Sequence, residues 1–258
     1  MPLPVPSRLR RLAAAGLSLL LAAPLAAQGT PAKKAGTFEG SASLGFSQTR
    51  GNADATTTNV ANKLKYTVVG WQVQQDLTFF YGEANNKVNA NFWSGGLRAQ
   101  RGLGNRVGAY LVGRFDRNVL QGIARRFEEG VGLDVTAIST KAQALTLALG
   151  VSQFQQTLTP GSSSAFDGSF PAARAALDFR HKFSPNATFQ QTAEYLPNLS
   201  ESRAYLVNTE STIVAPLLSK LAVKIGYVIR YNNAPPVRNN VPLRTTDTFF
   251  SSGVTYSF

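Results

Sequence analysis

The chain has 258 residues, no cysteine, one histidine and a formal net charge of +12. The lack of cysteine removes disulfides and thiol chemistry. Charged residues make up only 16%, against about 25% in an ordinary soluble domain, and Gln, Asn, Ser and Thr fill the gap. The basic excess suggests nucleic acid, but no helix-turn-helix, zinc-finger or RNA-binding signature is present.

Residues 1–28 read as a signal peptide. Arg8, Arg10 and Arg11 form a charged n-region, Leu12 to Leu21 an apolar run, and AAPLAAQ supplies small residues for cleavage near Ala27 or Gln28. That run is about half the roughly 20 residues a spanning helix needs. Its removal leaves 23 basic against 14 acidic residues, a net +9. No second long apolar run follows, so no helical membrane domain is expected. Residues 29–36 form a short polar linker.

From residue 37 onward the period is two, the signature of β-strands. In 71–81, Trp71, Val73, Leu77, Phe79 and Tyr81 oppose Gln72, Gln74, Asp76 and Thr78. In 221–231, Leu221, Val223, Ile225, Tyr227, Ile229 and Tyr231 oppose Ala222, Lys224, Gly226, Val228 and Arg230. The same alternation predicts strands over 38–48, 56–68, 89–101, 106–116, 127–138, 142–155, 170–183, 187–197, 202–215 and 244–258. Twelve strands result, each near the 9–11 residues that cross a membrane when tilted. Ten or fourteen are the alternatives, because 127–155 and 187–215 are the least regular stretches.

The junctions alternate too. Val69-Gly70, 102–105, 139–141, 184–186 and 216–220 are tight, whereas 82–87, 117–126, 156–168 and 232–243 are mostly longer. Short turns on one side and long loops on the other mark an outer-membrane barrel. Closure is required because an unpaired backbone group has no water to bond in lipid. The expected fold is therefore all-β, a transmembrane antiparallel up-and-down barrel over residues 37–258. Tyr66, Trp71, Trp93, Tyr195, Tyr205, Tyr227, Tyr231 and Tyr256 suit an interfacial aromatic girdle. Val254, Tyr256 and Phe258 share one face of the final strand, a candidate assembly signal, which puts Asp247 inside and pairs that strand with 38–48.

Residues 44–66 read LGFSQTRGNADATTTNVANKLKY, followed by Trp71. Gly51-Asn52 can adopt the positive φ of a tight turn, and Asp54 can bond its own backbone. Gly45, Phe46, Ser47, Thr49, Gly51, Asn52, Asp54, Thr56, Thr57, Lys63, Lys65 and Trp71 make this hairpin resemble the YdiY-like family of salt-induced outer-membrane proteins, a family of unknown function. The Phe80 to Glu83 element (FYGE) also fits. The resemblance implies a bacterial outer-membrane barrel with osmotic or acid-linked expression, and it supplies no catalytic residues.

Catalytic chemistry finds little support. An outer-membrane esterase needs a serine and a histidine base in contact. The single histidine, His181, lies beside a predicted short turn, the wrong end for the outer leaflet, and no G-x-S-x-G occurs. With no cysteine and no EF-hand-like loop, neither metal nor cofactor is expected. Strand parity instead assigns Lys63, Lys65, Asp76, Arg98, Arg114, Asp116, Arg174, Asp178, Arg180, Lys224, Arg230 and Asp247 to the lumen, with Glu39, Asp134, Glu194 and Glu210. Eight basic and eight acidic groups can neutralise one another across strands, whereas a selective pore tends to line its constriction with one sign.

Three readings follow: a non-enzymatic, stress-linked barrel with a polar lumen and a narrow pore; a channel for small anionic solutes using Arg174, Arg180, Lys224 and Arg230; and a surface-interaction protein using loops 156–168 and 232–243. The expected partners are outer-membrane lipid, lipopolysaccharide and the barrel-assembly machinery, with a monomer favoured and no nucleic acid.

Overall fold

The computed structural model describes residues 36–50, 55–84, 87–184 and 187–258. The signal-peptide and linker assignments, apart from Gly36, and the Gly51 to Asp54 turn lie outside the described residues. Twelve strands close into one antiparallel barrel in chain order. They are β1 (Thr37–Arg50), β2 (Ala55–Val68), β3 (Trp71–Ala84), β4 (Lys87–Gly102), β5 (Val107–Asn118) and β6 (Ile123–Ser139). There follow β7 (Gln143–Leu158), β8 (Gly168–Ser184), β9 (Ala187–Pro197), β10 (Tyr205–Pro216), β11 (Leu221–Asn232) and β12 (Thr246–Ser257). Among the described residues no helix is long and apolar enough to cross a membrane.

Alternation in sequence becomes two opposed surfaces. Leu44, Val60, Leu77, Phe79, Leu97, Leu111, Leu133, Leu149, Ile213, Ile225 and Val254 all point outward and are exposed. Such a continuous apolar belt would be an aggregation hazard in water and is the normal outer face of a barrel in lipid. Aromatic side chains flank it. Tyr66, Trp71, Tyr256 and Phe258 lie towards the short turns. Tyr81, Trp93 and a Tyr195–Tyr205–Tyr231 ladder, with centroids 5.5 and 5.8 Å apart, lie towards the loops. Tyr227 differs from the girdle expectation, because it sits near the middle of β11.

The seam is β1 against β12, with Ser41 opposite Ser257 and Leu44 opposite Val254. Gly40 and Phe258 exchange two backbone hydrogen bonds of 3.0 Å, the last rung of the seam. The Phe258 ring lies over Gly40, where an added Cβ would come within 2.4 Å of it. Five residues further along β1, Gly45 faces Gly253, and a Cβ on Gly253 would stand 2.2 Å from the Leu44 carbonyl oxygen. The two strands approach more closely here than side chains would allow.

Several strands run further than their composition predicts. The expected loop 117–126 is mostly strand: β5 continues to Asn118, a 3-10 turn covers Val119–Gln121, Gly122 takes φ 76°, and β6 starts at Ile123. Likewise β3 reaches Ala84 and β7 reaches Leu158, whereas β12, Thr246–Ser257, is shorter than the expected 244–258. Polar residues near the loops read as loop, yet a strand can pair beyond the apolar belt because its neighbours still satisfy its backbone. The two-residue turn between β2 and β3 has Val69 at φ 46° and Gly70 at φ 78°. The left-handed region suits Gly or Asn and disfavours a β-branched residue.

Two outcomes follow from these contacts. Val69→Asn should raise stability by about 1 kcal/mol, the usual cost of left-handed backbone at a non-glycine residue, measured as a later urea midpoint of the refolded barrel. Gly253→Val should prevent closure. In a gel run without boiling it should lose the fast-migrating folded band that the native chain is expected to show.

Candidate functional site

Among the described residues the interior gathers a set of ion pairs, and it is organised in levels. At the loop end two connections fold back over the mouth. Ser162–Ser163 pairs with Val237–Arg238, which pairs with Val241–Pro242. The Arg238 guanidinium donates to the Val119 carbonyl at 2.7 Å and to Thr159 Oγ1 at 3.2 Å, tying this small sheet to the neighbouring turn. Beneath it Phe166, 1% exposed, packs on Phe170 with centroids 5.3 Å apart. Phe154, Leu196 and Leu206 complete the apolar cluster. Buried Asn198 holds the next loop, accepting from Ser200 N at 2.8 Å and donating to the Ala165 carbonyl at 3.2 Å.

On the other side of the mouth Phe80, Phe92 and Phe249 form a triangle with centroids 5.7 to 6.1 Å apart. Phe92 and Phe249 come from β4 and β12, so they meet through the lumen. Arg230 of β11 lies 4.7 Å from the Phe92 centroid, a cation–π contact. Its register partner Asp247 also receives the Gln121 side-chain amide. Asp116 is buried opposite Arg126 in the β5–β6 register, and Arg126 donates to Gln156 Oε1 at 2.6 Å.

The middle level is a chain of ion pairs. Arg174 Nη2 is 2.5 Å from Glu194 Oε1, and Arg174 Nη1 is 3.0 Å from Glu128 Oε1. Arg114 Nη1 completes the chain, 3.3 Å from Glu128 Oε2 and 3.9 Å from Glu194 Oε2. Ser152 Oγ donates to Glu128 at 2.8 Å and Asn208 Nδ2 to Glu194 at 3.1 Å. Glu128 is only 2% exposed. Arg114 and Glu194 stand on β5 and β9, four strands or about 19 Å apart along the wall. Their side chains can touch only across the lumen.

Just below, Arg98 pairs with Asp134 at 3.6 Å and lies 3.8 Å from the centroid of the Tyr110 ring. Tyr110 is 1% exposed. Its hydroxyl rests over Gly132 and Gly150, where an added Cβ would come within 2.5 and 2.6 Å of the oxygen. These two glycines leave the space that the tyrosine fills.

Towards the short turns the charges open to solvent. Lys65 pairs with Glu39 at 3.2 Å and Arg180 with Asp178 at 3.7 Å, and the Arg180 side chain is 59% exposed. Gln190 donates to both Asp178 oxygens at 2.9 Å. Lys224 is 3.7 Å from Glu210, and Lys63 is exposed within the interior. Asp76, the register partner of Lys63, turns to β4 and lies over Gly96.

The twelve candidate lumen residues do not converge on one site. Arg174 is committed to two carboxylates, Arg230 to the aromatic triangle, and Lys224 and Arg180 to different sectors. The parity reading omitted Glu128, the hub of the middle level, although it shares the inward parity of Asp134 on the same strand. It also placed Arg126 in a loop. His181 faces outward between Phe179 and Phe183, with its ring Nδ1 3.3 Å from Gln143 Nε2. Among the described residues no group of three His, Cys, Asp or Glu side chains is placed to hold a metal ion.

A closed antiparallel barrel with an outward apolar belt, flanking aromatics and a charged interior is a transmembrane β-barrel. The family model described as "Protein of unknown function, DUF481" matches residues 42–258, and the chain belongs to that family. No curated protein matches by sequence. Among solved structures, the NanC porin superposes with a TM-score of 0.55 at 11% identity, covering 83% of this chain and 98% of that one. The translocator domain of the autotransporter NalP from Neisseria meningitidis gives 0.47 at 12% identity, covering 85% and 88%. An anion-selective porin from Comamonas acidovorans gives 0.44 at 10%, covering 87% and 99%. The NanC likeness concerns the fold.

Removing one partner of a buried ion pair typically costs 3–5 kcal/mol. Glu128→Ala leaves Arg114 and Arg174 to share Glu194 alone, and should lower the unfolding free energy by about that amount. Glu39→Ala, at an exposed pair, should change it by at most about 1 kcal/mol. Urea titration followed by tryptophan fluorescence compares the two.

Proposed function

We propose that this chain is a non-enzymatic barrel of the bacterial outer membrane whose lumen is capped at the loop end and bridged across its middle. It would be exported by a leader over residues 1–28 and tethered by a short linker over 29–36. Residues 37–258 would be inserted by the assembly machinery that recognises Val254, Tyr256 and Phe258. It would sit among outer-membrane lipid and lipopolysaccharide as a monomer, with a role in the envelope's response to osmotic or acid stress. The family resemblance supports the stress link, and the outward apolar belt supports the membrane.

The observation that carries this reading is the Arg114–Glu194 contact, which closes the network through Glu128 and Arg174 and joins β5 to β9, four strands apart. An open porin keeps its charges on the wall and leaves water between them. Here the charges meet in the middle, and two aromatic clusters and a small sheet close the loop end. The one imidazole faces outward beside Gln143, away from the interior serines, which supports a non-catalytic barrel.

A dedicated anion channel fits less well, because Arg174 is neutralised by two acids. Loops 156–168 and 232–243 are used largely in the cap, which leaves less of them for a surface partner.

Planar-bilayer recording tests the proposal. The native chain should show unit conductance far below that of an open 16- to 18-stranded porin. Large, long-lived steps at rest would overturn the closed-lumen reading. Recovery of the chain in the soluble periplasmic fraction would overturn the membrane reading.

A further inference from the structure

The lumen is not filled evenly. Its β4–β9 side holds Arg98, Tyr110, Arg114 and Arg174, each locked against carboxylates or ring faces. The opposite sector, from β10 round to β3, carries a run of short side chains on β11, β12, β1 and β2. Ser43, Gly45, Ala61, Gly226, Ser251 and Gly253 all point inward there. Charge is also distributed differently. Glu210 is held between cations, with Lys224 at 3.7 Å and Lys63 and Arg230 close enough to act on it electrostatically. Lys63 and Lys224 act on each other as well, although they stand on β2 and β11. Asp76 is turned away towards Gly96 and Arg114. Lys63 makes no ion pair within 4 Å among the described residues and is solvent-exposed, though five residues from the end of its strand.

We propose that this sector is an off-axis passage for small anions, entered from the short-turn end, gripped at Lys63 and Lys224, and shut at the loop end by Phe80, Phe92 and Phe249. The proposal rests on the closed-lumen barrel reading and assigns its residual permeability to one side of the interior. Two amines with one carboxylate between them leave a net positive charge in a narrow, partly desolvated space, where a small carboxylate or phosphate monoanion is favoured over a cation. Lys63 is exposed beside Ser41 and Ala61, with its other register partner, Asp76, turned towards Gly96. Arg230, stacked on Phe92, belongs to the closure.

The cysteine-free chain makes the test clean. Ser251 lies between the lysines and the triangle, whereas Ser152, 3% exposed, sits in the packed ion network. Single variants Ser251→Cys and Ser152→Cys are refolded in detergent, and each is first checked for the fast-migrating folded band. They are then treated with an anionic and a cationic methanethiosulfonate of similar size, with rates normalised to a free thiol. Ser251→Cys should react at least tenfold faster than Ser152→Cys, and faster with the anion. Adding Lys63→Gln and Lys224→Gln should abolish the charge preference and leave the reactivity. Phe249→Ala should add small anion-selective steps in bilayers. A Ser251→Cys thiol as protected as that of Ser152→Cys would overturn the passage. A preference that survives the double lysine change would overturn the anion grip. Loss of the folded band in the parent chain would instead count against the barrel itself.

Discussion

Arg174, held between Glu128 and Glu194, is the contact on which the interior depends. A barrel in lipid must turn its polar side chains inward, and an unpaired buried charge is far too costly to tolerate. Small barrels solve this by filling the lumen and large ones by flooding it. Twelve strands fall between these limits. Here the solution is a bridge: Arg174 reaches Glu128 two strands away and Arg114 reaches Glu194 four strands away, while each also pairs with an acid on an adjacent strand. The wall fixes the backbone of each partner, so the geometry can be held with little further ordering of the chain. Ser152 and Asn208 each add one hydrogen bond to a carboxylate of the network, and such partners help decide whether it stabilises or strains its surroundings.

The remaining interior contacts form around that bridge. Below it, Tyr110 fills the space that two glycines leave, with Arg98 against its face. Above it, the lumen changes character, and Phe154, Phe170, Leu196 and Leu206 present apolar side chains to the interior. Those residues are explained only by the loop that covers them. Phe166 lies in a segment rich in serine and glycine, yet it is among the most buried side chains. The cap is thus part of the barrel's core, and it uses the long connections that would otherwise be free to meet partners.

Much of this was legible in the sequence. Alternation marks the strands because each residue faces either lipid or lumen, and the period survives even where individual residues deviate. Twelve strands, their chain order and the β1–β12 closure follow from that period and from the short-turn, long-turn rhythm. The ends of strands were harder, because past the apolar belt a strand and a loop share the same polar composition, as Arg117 to Arg126 shows. Glu128 was within reach, since parity alone turns it inward. Which charges meet was not, because Arg114 with Glu194, and Arg98 with Asp134, depend on the tilt and stagger of non-adjacent strands. The cap did leave a trace: phenylalanine and leucine on the polar face of four successive strands near the same end.

The rung between Gly40 and Phe258 also has a kinetic side. Every other strand pair joins neighbours in sequence and can form as a local hairpin. The closing pair joins segments about 200 residues apart, so its loop-closure entropy must be overcome in a single late event. Until then both edges remain open templates for mispairing. The rate at which those two edges find each other, more than the strength of any interior contact, should set how long this chain depends on helpers before it is safe from aggregation.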